Sequence, residues 1–161
     1  TNTTSAWIGL VLRLYLGFAW LKACIGKVTS DAWTGENAGV AVKGFLGGAL
    51  AKDGDVAGWY AWFLENMVIP NAVPFSYMVA WGEVLIGLGL LVGLLTGIAA
   101  FFGALMNMSF LMAGTVSTNP AMFMIAMFII LAWKVAGWHG LDRWVLPRLG
   151  TPWSERDKKN N

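Results

Sequence analysis

The chain has 161 residues, of which 57% are hydrophobic and 12% charged, with a net charge of +2. That balance excludes an ordinary soluble domain, and no basic tract interleaved with aromatics exists to bind nucleic acid. A single cysteine, Cys24, excludes an intramolecular disulfide or a CxxC pair, and a single histidine, His139, excludes bis-histidine haem ligation within one chain. Ten Trp, nine Phe and twenty Gly fit a helical membrane protein, with aromatics at the interfaces and small residues where helices approach.

The first apolar run, 6–25, reads as a membrane helix. It contains Arg13 and Lys22 and has no small-residue cleavage site, which sets it apart from a cleaved signal sequence. Arg13, Gly17, Trp20, Cys24 and Lys27 recur at spacings of three and four, so they share one face. Residues 26–74 form a long, half-apolar connection. Val42, Phe45, Leu46, Ala49 and Leu50 make an amphipathic stripe there, weakened by Gly47-Gly48, and a Trp-rich segment over 59–69 ends at Pro70. Both segments are too short to span and suit an interfacial cap.

Residues 75–95 and 98–117 follow as two further helices divided at Thr96-Gly97. Gly89, Gly93 and Gly97 repeat every four residues as a small-residue face, and Gly103, Asn107, Phe110 and Gly114 form a comparable seam. The fourth helix is expected over 120–138, with Ser117, Thr118 or Asn119 as N-cap and Pro120 in the first turn. A short interfacial stretch over 140–149 and a charged tail over 151–161, read as disordered, close the chain. The expected fold is all-α: one domain over 1–150, a polytopic membrane four-helix bundle with short amphipathic helices in its long first loop. Lys and Arg after His139 outweigh those of the long loop, which places the termini in the cytoplasm of a multi-pass cell-membrane protein.

Within this apolar frame the polar residues carry the chemistry. Arg13, Glu83 and Asn107 fall within about two turns of the mid-membrane level, where an ionisable group is a functional candidate by default. An Arg13–Glu83 pair would neutralise both charges. It would either clip two helices in register or, with Asn107, hydrogen-bond a ligand and relay a proton. Lys22, Lys27, Trp20 and Cys24 lie toward the loop end of the first helix. The lysines either attract an anion or snorkel to the interface, and Cys24 is either a thiol activated by Lys22 or a small hydrophobe. Lys134 and His139 mark the opposite interface. No phosphate-binding glycine loop, metal-ligand cluster or nucleophile elbow occurs. Redox chemistry would therefore need a diffusible carrier such as a quinone, or a second redox subunit. No metal or haem is expected from this chain alone.

The runs 12–27, 81–90 and 106–120, with the closing 140–147, resemble the DoxX/DoxD family over about residues 7–150. The resemblance implies a four-helix integral membrane protein, in some relatives the membrane subunit of thiosulfate:quinone oxidoreductase. Its matching positions here are Arg13, Gly26-Lys27, Glu83 and Asn107. Leaning on the resemblance, the expected ligand is a quinone. The family fixes no catalytic residue list, and the residues expected here are Glu83 and Arg13 as catalytic, with Asn107, Trp20, Trp81, Lys22 and Lys27 around the quinone or a small reductant such as thiosulfate. The other reading is a non-enzymatic scaffold or binder of a lipid-like molecule serving a soluble redox partner. Membrane lipid is a partner on either reading, and the small-residue seams suit homo-oligomerisation.

Overall fold

The computed structural model describes residues 3–52 and 54–150; the expected tail over 151–161 lies outside them. The described residues form helices and turns and contain no strand. In chain order the helices are α1 (Thr3–Val28), α2 (Asp31–Thr34), α3 (Val40–Leu50), α4 (Gly58–Phe63), α5 (Ala72–Val92), α6 (Thr96–Met112), α7 (Asn119–Leu131), α8 (Trp133–Ala136) and α9 (Asp142–Arg148). A π-helical turn, Leu64–Val68, continues α4.

Two helices, α1 with 26 residues and α5 with 21, are long and apolar enough to cross a membrane. At 1.5 Å per residue α5 is about 31 Å long, close to the ~30 Å of a hydrocarbon core. α6 and α7 are shorter apolar helices. Around them the outward surface is apolar: Phe18 is 66% exposed, Leu85 71% and Leu131 80%. A water-soluble helix would turn such residues inward, whereas lipid accepts them.

α1 packs along α5, α5 on α6, α6 on α7 and α7 on α1. The shared core is built from Leu16, Trp20, Leu90, Ala100, Ala126 and Ile129. Gly89, Gly93 and Gly97 each allow a close approach, to Ala99, to Arg13 with Gly140 and to Trp133, but they do not act as one helix face. Gly17 and Gly87 bring α1 and α5 together, since a Cβ on Gly17 would stand 3.0 Å from the Gly87 carbonyl oxygen. Gly9 meets Ala136 in the same manner. Gly93 and Gly97 lie on opposite sides of the α5–α6 turn and share no helix face.

That turn falls three residues earlier than the Thr96-Gly97 division expected. Gly93, in the left-handed region at φ 67°, ends α5, and Thr96 is already the first residue of α6. α5 also begins earlier than position 75, at Ala72, because Pro74 sits in the first turn, where its missing N–H is harmless. The fourth helix is interrupted at Ala132, and the break lets Trp133 pack on Gly97. Pro120 stands in the first turn of α7 as expected.

The long loop is a folded cap. Val42 and Leu46 of α3, Tyr60 of α4, Leu64, Val68, Ala72 and Ala113 form a second apolar cluster over the loop-side ends of α5 and α6. The paired Gly47-Gly48 does not break α3, which runs through to Leu50. Tyr60 donates to the Ser109 carbonyl at 2.9 Å, and burial raises the pKa of its phenol, so it remains a donor.

Candidate functional site

The antiparallel register of α1 and α5 decides which charged groups meet. Gly17 lies level with Gly87, so Arg13 stands level with about position 91, eight residues from Glu83. That is about 12 Å along the axis. Side chains on a helix lean toward its N-terminus, so Arg13 leans away from Glu83 while Lys27 leans toward it. Glu83 leans toward the N-terminus of α5, which is the Lys27 end. The expected Arg13–Glu83 pair is therefore absent. Glu83 Oε1 instead accepts from Lys27 Nζ at 2.5 Å.

The pair is asymmetric. The Glu83 side chain is 1% exposed and that of Lys27 21%, so the ammonium lies between the carboxylate and the loop-side surface. Lys27 Nζ also sits 5.2 Å from the Trp33 ring and 5.4 Å from the Phe110 ring, within cation–π range. Trp33 is held there by a short frame of bonds. Ser76 and Tyr77 of α5 donate to the carbonyls of Trp33 and Thr34, and Thr34 donates to the Val28 carbonyl.

Behind the pair lie polar atoms with no protein partner. Glu83 Oε2, both side-chain atoms of Asn107 and Trp20 Nε1 are all buried and unbonded. Trp20 Nε1 is about one contact from Gly103, at 3.1 Å from where its Cβ would be, with Ile86 of α5 on the same spot. Asn107 is one turn further along that face of α6, between Gly103 and the Phe110 that flanks Lys27. Gly103 and Asn107 of the expected seam thus face the α1–α5 junction, whereas Gly114 lies past the end of α6, exposed and in open space. A buried amide without a partner loses about 1–3 kcal/mol relative to a satisfied one.

Of the other expected site residues, Lys22 is exposed on α1 and Trp81 is exposed on α5, both turned away from this cluster. Cys24 is buried and donates to the Leu21 carbonyl. Arg13 is buried in a separate polar knot at the other end. Its Nη2 donates to the His139 carbonyl at 3.2 Å, and its Nη1 fills the space that a Cβ at Gly93 or Gly140 would take. His139 stacks on Trp7 at 4.4 Å.

Asp142 is the acid of that knot, and no sequence pattern singles it out. Its carboxylate accepts from the Leu95 N–H at 2.5 Å and the Thr96 N–H at 2.8 Å, capping α6 from 46 residues away. Its own N–H donates to the Gly93 carbonyl, and that of Leu141 to the Val92 carbonyl. Negative charge at the start of α6 and the Arg13 cation at the end of α5 both oppose the helix dipoles favourably. The signal available was indirect: α6 opens with no local acid or N-cap bond of its own.

Leu16, Leu90, Ala100 and Ala126, each with no exposed surface, separate the two polar clusters by a dry layer. On the membrane-facing side a groove of about 950 Å³ runs between α5 and α6, walled by residues such as Phe75, Leu88, Phe102 and Met106.

An apolar exterior, two helices of spanning length and a buried cation–carboxylate pair define an all-helical membrane protein. Residues 8–157 match the family described as TQO small subunit DoxD, and the chain belongs to the DoxD family. No curated protein and no solved structure matches it.

Proposed function

We propose that the chain is the quinone-reactive membrane subunit of an oxidoreductase, with the quinone head group received by Lys27, Glu83, Asn107 and Trp20. The family description supports a quinone oxidoreductase subunit in general terms. The observation that carries the reading is that Glu83 Oε2, the Asn107 amide and Trp20 Nε1 are buried and unbonded on the helices that hold the buried ion pair. The Arg13 end also has unbonded atoms, Arg13 Nε and Nη1, Thr96 Oγ1 and His139 Nε2, but the Asp142 carboxylate there has both oxygens bonded. A quinone offers two carbonyl oxygens that accept hydrogen bonds. The Asn107 amide nitrogen and Trp20 Nε1 are donors, and Lys27 supplies positive charge where negative charge grows as the ring is reduced.

On this reading Glu83 is the proton-exchanging group. Quinone takes two electrons and two protons to become quinol, and a carboxylate beside the ring can pass protons one at a time. Lys27 connects Glu83 to the loop side, while the dry layer of Leu16, Leu90 and Ala100 closes the opposite route. Electrons would come from a small reductant of the thiosulfate class, directly or through a second redox subunit. α1, α5, α6 and the α7–α8 pair would then cross the cell membrane as four spans, with α2–α4 as the cap on the reductant side and the termini in the cytoplasm.

Arg13 has a different role here from the catalytic one expected: it holds the α5–α6 turn and the 139–142 segment together. The test is to purify the protein in mild detergent and extract bound quinone for mass spectrometry. Stoichiometric quinone in the wild type and its loss from an Asn107→Leu variant support the assignment; no quinone in either contradicts it and favours the scaffold reading.

A further inference from the structure

We propose that the groove between α5 and α6 holds the isoprenoid tail of the quinone, and that Gly82 and Met106 form the portal by which its head passes from lipid to the Glu83–Asn107 cluster. The inference rests on the quinone reading and assigns that ligand its path and its tail site.

Three observations carry it. First, the groove and the polar cluster are built on neighbouring residues of the same two helices. Gly82 and Met106 line the groove, while their sequence neighbours Glu83 and Asn107 are buried behind it. Second, the groove wall is thinly filled at this level. Gly82 contributes no side chain, and a Cβ there would meet only the Met106 sulfur, at 3.7 Å. A thioether on three rotatable bonds swings aside more readily than a branched or aromatic side chain. Third, the groove has a polar end and an apolar end. Trp33 and Phe110, which line it, are the two rings that flank the Lys27 ammonium. From Gly82 the groove continues past Leu88 and Gly89 to Leu94 and Leu95. That is about 15 Å of apolar channel along α5 from Gly82 to its end at Val92, with the α5–α6 turn beyond.

The loop-side end is roofed by Leu46, Tyr60 and Leu64 of the cap, so an occupant enters laterally from lipid. A long apolar chain with a small, hydrogen-bond-accepting head fits both ends at once. An ordinary phospholipid matches the channel, but its bulky zwitterionic head does not match a pair of buried amide and indole donors behind a glycine-wide opening.

The test uses the full chain in phosphatidylcholine nanodiscs and a quinone whose decyl tail ends in a photoreactive diazirine. Label is expected on peptides containing Leu88, Leu94 and Ile98, reduced about tenfold by excess unlabelled decylquinone. Gly82→Leu should weaken decylquinone binding about tenfold. A Cβ at this position meets only the Met106 sulfur, and retention of the wild-type melting temperature identifies a folded variant. Label spread equally over peptides with Phe18 and Leu131 would mean that ordinary lipid fills the groove, and would overturn the proposal. A tail-less benzoquinone, titrated by calorimetry, separates the two claims. If it binds as tightly as decylquinone and Gly82→Leu changes neither, the tail site and portal are wrong while the head site stands. If neither quinone binds the wild type, both claims fall.

Discussion

Lys27 of α1 and Glu83 of α5 meet at 2.5 Å although 56 residues separate them, and the carboxylate is the more deeply buried partner. Two charges in a dry helix interface stabilise one another only as a pair; either alone is an uncompensated charge. Lys27→Met should therefore destabilise the protein by about 3 kcal/mol, whereas Lys27→Met combined with Glu83→Leu should recover most of that loss. A thermal-unfolding cycle in detergent reads the coupling. Additive effects of the two substitutions would show that the pair contributes nothing as a pair.

Asn107 should behave in the opposite way. Its amide is fully buried with neither atom bonded, so Asn107→Leu removes an unsatisfied polar group and keeps the branched shape, with somewhat more bulk. The variant should be at least as stable as the wild type, by up to about 1 kcal/mol, while losing quinone binding. A lowered melting temperature would mean that Asn107 serves the fold rather than a ligand.

The Asp142 cap predicts a graded loss. Asp142→Ala leaves the Leu95 and Thr96 N–H groups unpaired inside the protein and should cost about 2–3 kcal/mol; Asp142→Asn keeps an acceptor and should cost about half. Equal melting temperatures for the two variants would show that acceptor geometry is irrelevant at the start of α6.

Two glycine substitutions should have opposite signs. Gly93→Ala places a methyl group on Arg13 Nη1 at a left-handed backbone position and should prevent correct folding, read as loss of monodisperse protein on gel filtration. Gly47→Ala lies in open space inside α3 and should stabilise by about 0.5–1 kcal/mol. A well-folded Gly93→Ala protein would contradict the packing of the Arg13 knot.

Much of this was readable from residue spacing. The face carrying Arg13, Gly17, Trp20, Cys24 and Lys27 turns inward as periodicity requires, because three- and four-residue spacing fixes a helix face whatever packs against it. Gly103 and Asn107 on α6 and Val42, Leu46 and Ala49 on α3 were legible for the same reason, while Gly114 and Phe45, expected with them, are exposed. Pairing was not, because it depends on the axial register of α1 against α5, which Gly17 and Gly87 set by their missing side chains. The α5–α6 turn was misplaced at Thr96-Gly97 because the cap of α6 comes from Asp142, far along the chain, and no local pattern announces a distant carboxylate. Lys22 and Trp81 were grouped with the site by proximity in sequence; each is one step around its helix from an inward residue, and 100° is enough to send it outward.

The most direct measurement of the central claim is anaerobic quinone reduction by thiosulfate in proteoliposomes, with any second subunit retained, comparing wild type and Glu83→Gln. Gln keeps the size of Glu83 and an oxygen for Lys27 to reach, but it cannot exchange a proton. Loss of at least about 99% of turnover, with quinone still bound and the melting temperature within a few degrees, is the predicted result. Turnover at the wild-type rate in a folded, quinone-loaded Glu83→Gln protein would contradict the assignment of Glu83 as the proton-exchanging group.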